Sequence, residues 1–369
     1  MTKSMIRFAA TGALAMLVLG STFPAAAAGP LTGARPVVPA DFPLVANVVV
    51  GSRTFNGFFV TIGATVKLTQ KRKGATLATA TKVADASGDV SLKLKPLQPG
   101  DAVLIDVDGA QRTLTIPDLR LSIDAASDRL SGRVPTSQLD GHLAVASQVG
   151  SYTLGGDNQD FTAHADGTFS EDLTSIHDIQ GGELVRLDWV SPANDSFSLD
   201  SFAPAVTTQV GLSTVEVYGK GGSTATVTLK ASNGAVRGSA KVTIPRDGRP
   251  ATATFHKSGA KVAVKAGDRI VHSAAPAISF KVLANTLVLT KTGGGDVSAT
   301  CFPSSLYVLG SIFGGGAFDY LADGATDSTG ALSVSDISNT GTTLPSGYQV
   351  MLICENADGY AQNFRATVP

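Results

Sequence analysis

Charge is scarce in this chain. Only 16% of its 369 residues are charged, and the two signs nearly balance, 29 basic against 30 acidic. Soluble domains usually carry about 25%, so a binder of nucleic acid driven by bulk charge is excluded, as is a disordered polyelectrolyte. Aromatics make up 6%, with one tryptophan, too few for a sugar-binding face of stacked rings. Cysteines number two, Cys301 and Cys354. Neither belongs to a CxxC pair or has a histidine near it in sequence, which leaves no thiolate metal or redox motif. No HExxH, GxSxG or complete EF-hand spacing occurs. After the N-terminal segment no apolar run is long enough to cross a bilayer, and no stretch keeps apolar residues at helical spacing for three turns.

The N-terminus has the layout of a secretory signal. Lys3 and Arg7 precede the apolar run Phe8–Phe23, and Ala25-Ala26-Ala27-Ala28-Gly29 offers small residues to a signal peptidase. Cleavage near Ala28 is expected, giving a secreted or envelope-associated mature chain. Pro30, Pro36, Pro39 and Pro43 make residues 29–43 an extended leader. In an exported chain Cys301 and Cys354 read as one disulfide, closing a loop of about fifty residues.

Glycine, with 40 residues, marks a period. An Asp-containing turn ending in glycine recurs at Asp85-Ala-Ser-Gly88, Asp166-Gly167, Asp247-Gly248 and Asp327-Ser-Thr-Gly330, at spacings of 79, 81 and 82. A second glycine stands three residues before a β-branched one at Gly100/Val103, Gly182/Val185, Gly267/Ile270 and Gly347/Val350. Two markers drifting together define a repeat of about eighty residues. Within each repeat, short runs alternate apolar and polar residues, as in Val90–Lys95 and Ala225–Lys230, with turn residues between them. Six or seven short strands in that length predict an all-β chain of four small sandwiches. The expected boundaries are 1–28 signal peptide, 29–43 leader, then 44–118, 119–205, 206–281 and 282–369, the last with the disulfide.

The unit resembles the bacterial Ig-like and carboxypeptidase-regulatory-like β-sandwich repeats of exported envelope proteins. The resemblance rests on the Asp-x-x-Gly hairpins (Asp85 to Val90, Asp327 to Leu332) and the strand starts Gly100-Asp101-Ala102-Val103 and Gly267-Asp268-Arg269-Ile270. Repeats two and four depart from it with Gly182-Glu183 and Gly347-Tyr348. It implies a stalk, adhesive or ligand-presenting role and brings no active site.

Net charge alternates along the repeats: +2 over 41–118, −9 over 119–205, +8 over 206–281 and −5 over 282–369. Docking or self-association of oppositely charged modules is the corresponding partner expectation. Calcium is the one cofactor the sequence suggests, with hard oxygen donors beside glycine at Asp106-Val-Asp108-Gly109, Asp157-Asn158-Gln-Asp160 and Asn356-Ala-Asp358-Gly359; ordinary turn chemistry explains the same residues. His164/Asp166 and His177/Asp178 offer imidazole beside carboxylate, without an activated nucleophile. Gln70-Lys71-Arg72-Lys73-Gly74 reads as a solvated basic hairpin tip, Leu306–Phe313 as a core strand, and Trp189 as a core residue. The expected function is non-catalytic: an exported structural, adhesive or ligand-presenting protein whose partners are envelope or extracellular proteins or glycans. The rival readings are a secreted carbohydrate- or calcium-binding protein and, further off, a secreted hydrolase.

Overall fold

Runs that alternate Val, Thr and Ala with polar residues form strands with one buried face. The computed structural model describes residues 42, 44–149, 152–246, 248–273, 278–290, 296–312, 318–334, 346–356, 358 and 360–368. Every helix or strand among them is a strand, so the fold is all-β. The signal segment, the leader apart from Phe42, and Asp247 lie outside the described residues.

The first repeat contributes β1 (Val45–Val49), β2 (Thr54–Phe58), β3 (Thr65–Arg72), β4 (Ala75–Val83), β5 (Val90–Lys93), β6 (Ala102–Val107) and β7 (Ala110–Thr115). They sort into β1-β2-β5 facing β4-β3-β6-β7. The second has β8 (Arg120–Asp124), β9 (Arg129–Arg133), β10 (Asp140–Val149), β11 (Tyr152–Thr162), β12 (Thr168–Asp172), β13 (Leu184–Val190) and β14 (Ser196–Phe202). Its sheets, β8-β9-β12 and β11-β10-β13-β14, follow the same order.

The third has β15 (Ala205–Gln209), β16 (Thr214–Tyr218), β17 (Thr224–Lys230), β18 (Val236–Thr243), β19 (Ala251–Thr254), β20 (His256–Lys257), β21 (Ala260–Lys261), β22 (Arg269–His272) and β23 (Ile278–Lys281). The small β20–β21 hairpin is an addition to the pattern. The fourth has β24 (Val288–Thr290), β25 (Asp296–Thr300), β26 (Leu306–Ile312), β27 (Phe318–Ala325), β28 (Ala331–Val334), β29 (Gln349–Asn356) and β30 (Tyr360–Thr367). Here too a three-stranded set, β24-β25-β28, accompanies a four-stranded one, β27-β26-β29-β30.

The periodic Asp-to-Gly turns have a structural cause. In repeats one, two and four the glycine carbonyl accepts the N–H of the residue closing an earlier strand: Val60 to Gly88, Val134 to Gly167 and Cys301 to Gly330. A Cβ at these glycines would lie 2.6, 2.2 and 2.4 Å from the carbonyl oxygens of those same residues. Their φ values of 75°, 83° and 84° independently favour glycine.

The repeats are joined in pairs. Strand β1 runs parallel to β14, with Asn47, Val48 and Val49 opposite Ser196, Phe197 and Ser198. Likewise β15 runs parallel to β30. Each seam merges a three-stranded and a four-stranded set into one seven-stranded sheet. Where the sequence alone suggests one core per repeat, the apolar contacts instead form two main clusters, one from Leu44 to Ala203 and one from Val206 to Phe364. The reason lies at the seam, where Val48 and Phe197 stand side by side on the buried face.

Candidate functional site

The residue after the second periodic glycine is a carboxylate in three repeats, and it anchors the loop entering β6, β13 or β22. Asp101 accepts the backbone N–H of Gln98 at 3.0 Å, Gln70 Nε2 at 2.8 Å, and Arg72 Nε and Nη2 at 2.6 and 2.8 Å. Burial would raise its pKa, but Arg72 and the other donors outweigh this and hold it below the usual aspartate value. Asp268 takes the same place, accepting Lys265 N–H at 2.7 Å and an ion pair from Arg237. The basic tip at Gln70–Gly74 is therefore not wholly solvated: Gln70 is buried, and Arg72 is neutralised by Asp101.

In the second repeat the departure to Gly182-Glu183 alters the chemistry. Glu183 accepts Gln180 N–H at 2.9 Å, as Asp101 does from Gln98, but its cationic partner is His177 Nε2 at 2.9 Å. The other ring nitrogen, Nδ1, meets Asp157 at 2.8 Å. His177 thus pairs with Asp157 and Glu183 and not with its sequence neighbour Asp178. Burial pulls the imidazole pKa down, yet the two carboxylates more than compensate and raise it to about 9. Glu183, also buried, is pushed above the usual glutamate value by desolvation. His164 and Asp166 form no such pair: Asp166 caps its turn by accepting the backbone and hydroxyl of Thr168.

The seam between repeats one and two contains a second buried charge. Asp195, 1% exposed, accepts Ala46 N–H at 2.9 Å and takes Arg112 Nη1 and Nη2 at 2.8 and 2.6 Å. Arg112 also donates to the Leu44 carbonyl and lies over the Phe42 ring. A cleft of about 340 Å³ beside this seam is lined by Arg112, Trp189, Asp195 and Phe197 among others. Trp189 is buried, with Nε1 donating to the Gln138 carbonyl at 2.8 Å, so it belongs to the core.

Further contacts link the pairs. Phe202 packs edge-on against Tyr218 at 5.5 Å between ring centres. A Cβ on Gly182 would stand 2.8 Å from Glu355 Oε1 and 3.4 Å from Ala205 Cβ, so these three residues crowd together. Strand β10 also lies against β26 and β29. Val308, Met351, Ile353 and Ala361 form a separate buried cluster, on the face of their sheet opposite Leu309, Leu352 and Cys354. Both faces of β29 are consequently buried, and Tyr307–Gly310 of β26 are buried as well; Phe313 lies outside the described residues.

The candidate calcium-binding acids are spread out and engaged in turns or pairs. Asp106 accepts Gln111 Nε2 at 2.7 Å and Gly109 N–H at 2.9 Å. Asp108, at φ 47°, accepts Thr65 N–H at 2.9 Å. Asp157 meets His177, and Asp160 meets His142 Nδ1 at 2.7 Å. Asp358 donates its N–H to Asn356 Oδ1 at 3.2 Å. Among the described residues no group of three His, Cys, Asp or Glu side chains is placed to hold a metal ion. Cys301, beyond β25, is disulfide-bonded to Cys354 in β29 with Cα atoms 5.8 Å apart, tying the two sheets of the fourth repeat. No helix among the described residues is long and apolar enough to cross a membrane.

No family model and no curated protein matches the chain. Among solved structures, similarity is found to a tetra-tandem repeat in the extending region of a large adhesion protein. It is 17% identical, covers 88% of this chain and 99% of that one, and has a TM-score of 0.17. The native conformation of E. coli alpha-2-macroglobulin is 9% identical over 91% of this chain, which spans only 30% of that protein, with a TM-score of 0.18. A structure from a 1.5-MDa bacterial ice-binding adhesin is 12% identical over 89% of this chain and 98% of that one, with a TM-score of 0.16. Scores this low carry no property of those proteins over to this one.

Proposed function

We propose that this is an exported, non-catalytic structural or adhesive protein of the cell envelope or exterior. Its repeats at 44–118, 119–205, 206–281 and 282–369 act as Ig-like modules in a fixed array that presents strand edges and loops to proteins or glycans. The observation that carries this reading is the seam at Asp195. A chain of freely hinged modules would leave polar groups at its joints to water. Here a backbone ladder and a buried ion pair join two successive modules, and breaking such a pair leaves an uncompensated buried charge. The joint therefore holds one geometry, as a protein that spans distance or displays loops at set positions requires.

Alternating module charge favours contact between neighbours of opposite sign, and the Arg112–Asp195 pair is one such contact. The Cys301–Cys354 disulfide and the N-terminal signal layout support export. The test is fractionation of the source cells with crosslinking in place. Expected is a chain cleaved near Ala28, found in the envelope or medium and crosslinked to neighbours there. An uncleaved chain confined to the cytoplasm overturns the reading.

A further inference from the structure

An edge strand leaves a row of N–H and C=O groups without partners, and proteins blunt such rows with charge, cover or brevity. Strands β4, β11, β18 and β27 occupy equivalent places beside β3, β10, β17 and β26. Three of the four are blunted. Strand β11 carries exposed Asp157 and Asp160, and β27, with exposed Asp323, is broken in mid-strand by the register shift opposite Leu309/Gly310. Strand β18 is partly covered by β20, with Ser239 opposite His256. Strand β4 differs: its nine residues, ATLATATKV, hold a single charge at Lys82 and are mostly exposed. The other outermost strands among the described residues run six residues or fewer.

The ladder shows which groups are free. Ala84 donates its N–H to the Ala64 carbonyl, and the register pairs Thr65 with Val83, Lys67 with Thr81 and Thr69 with Thr79. Bonded and open pairs alternate in an antiparallel ladder, so the N–H and C=O groups of Thr79, Thr81 and Val83 point away from β3. A register shift at Gln70/Lys71 ends the regular run, leaving Ala78–Val83 as the open edge.

We propose that β4 is a self-association edge, pairing antiparallel with β4 of a second copy of this chain. The chemistry of the edge selects this occupant. Its one charge is Lys82, too little to select an acidic peptide, and it has no acid to select a basic one. The leader is a poor strand former, with prolines at 30, 36, 39 and 43. Two copies related by a two-fold at Ala80 set Thr79 of one opposite Thr81 of the other, twice, and threonine pairs across strands are favourable. Lys82 then faces Ala78. The two Lys82 Cα atoms stand about 13 Å apart along the strands, beyond a Debye length of about 8 Å at physiological salt. The product is one continuous sheet, β7-β6-β3-β4 with its two-fold mate, and an isologous contact of this kind closes at two copies.

Sedimentation equilibrium of the full mature chain at low and high salt tests this. Expected is a monomer–dimer equilibrium that salt leaves nearly unchanged. Thr81→Pro removes an outward N–H and spares the bonds to β3, so it should weaken dimerisation about tenfold or more. The double variant Thr79→Lys/Thr81→Lys sets like charges opposite one another and should be monomeric, while mixing it with Thr79→Asp/Thr81→Asp should restore mixed dimers. Melting temperatures close to that of the parent show that the variants fold. The proposal is overturned by a strictly monomeric parent, by a dimer indifferent to these variants, or by a dimer that high salt alone dissociates, which would assign association to the charged modules.

Discussion

At the scale of single residues, His177 is the group whose charge matters most. Its pKa in the fold, about 9, lies above the ordinary histidine value, so protonation favours the folded state. This contribution is fully present below about pH 6.5 and is lost as pH rises through about 9. Melting should become easier by about 3 kcal/mol across that window, and His177→Gln should flatten the dependence. A melting curve of the parent that is level from pH 6.5 to 9 counts against the arrangement. Glycine offers a second test. Gly167→Ala should cost about 2–4 kcal/mol in denaturant unfolding, because positive φ and a carbonyl 2.2 Å from the new Cβ act together. Gly100→Ala, with nothing within 4 Å, should cost only about 1 kcal/mol. The periodic glycines were legible from spacing alone. The partners of His177 were not, since Asp157 lies twenty residues back; the signal that could have led to them was glutamate at 183, where repeats one and three have aspartate.

At the scale of strands, alternation was sufficient to locate most elements, because a half-buried strand must alternate. It could not say that the end of β3 turns its polar residues inward. Gln70 and Arg72 look like solvent residues, yet Asp101, about thirty residues later, brings both into a buried cluster. The seam strands raise the same point. Asp195 belongs to no sequence motif, and its partners Ala46 and Arg112 are 149 and 83 residues away. Asp195→Ala should destabilise the seam by about 3 kcal/mol, at the lower end of such effects because Arg112 keeps some contact with water. Denaturant unfolding should show that loss, and small-angle scattering should show a wider spread of orientations between the first two repeats. An unchanged midpoint would remove Asp195 from the joint.

At the scale of the whole molecule, the repeats do more than follow one another. Strand β10 of the second repeat reaches β26 and β29 of the fourth, near the buried Val308, Met351 and Ile353. Ile353→Asp leaves the sandwich core of that repeat intact, because the side chain faces away from it. The variant should forfeit about 1.5–3 kcal/mol of burial and enlarge the radius of gyration in scattering, with the strand signal in circular dichroism retained. A radius identical to that of the parent would show that this face does not hold the repeats together.

The amino-acid order alone was enough for the all-β class, the eighty-residue period, the cysteine pair and the glycine positions. Each of these follows from local rules: side-chain alternation, positive φ and spacing along the chain. Which repeats share a sheet, which carboxylate neutralises which cation, and which of four similar edge strands stays open depended on tertiary structure. Those outcomes are set by residues distant in sequence whose burial becomes favourable only once the sheets have come together.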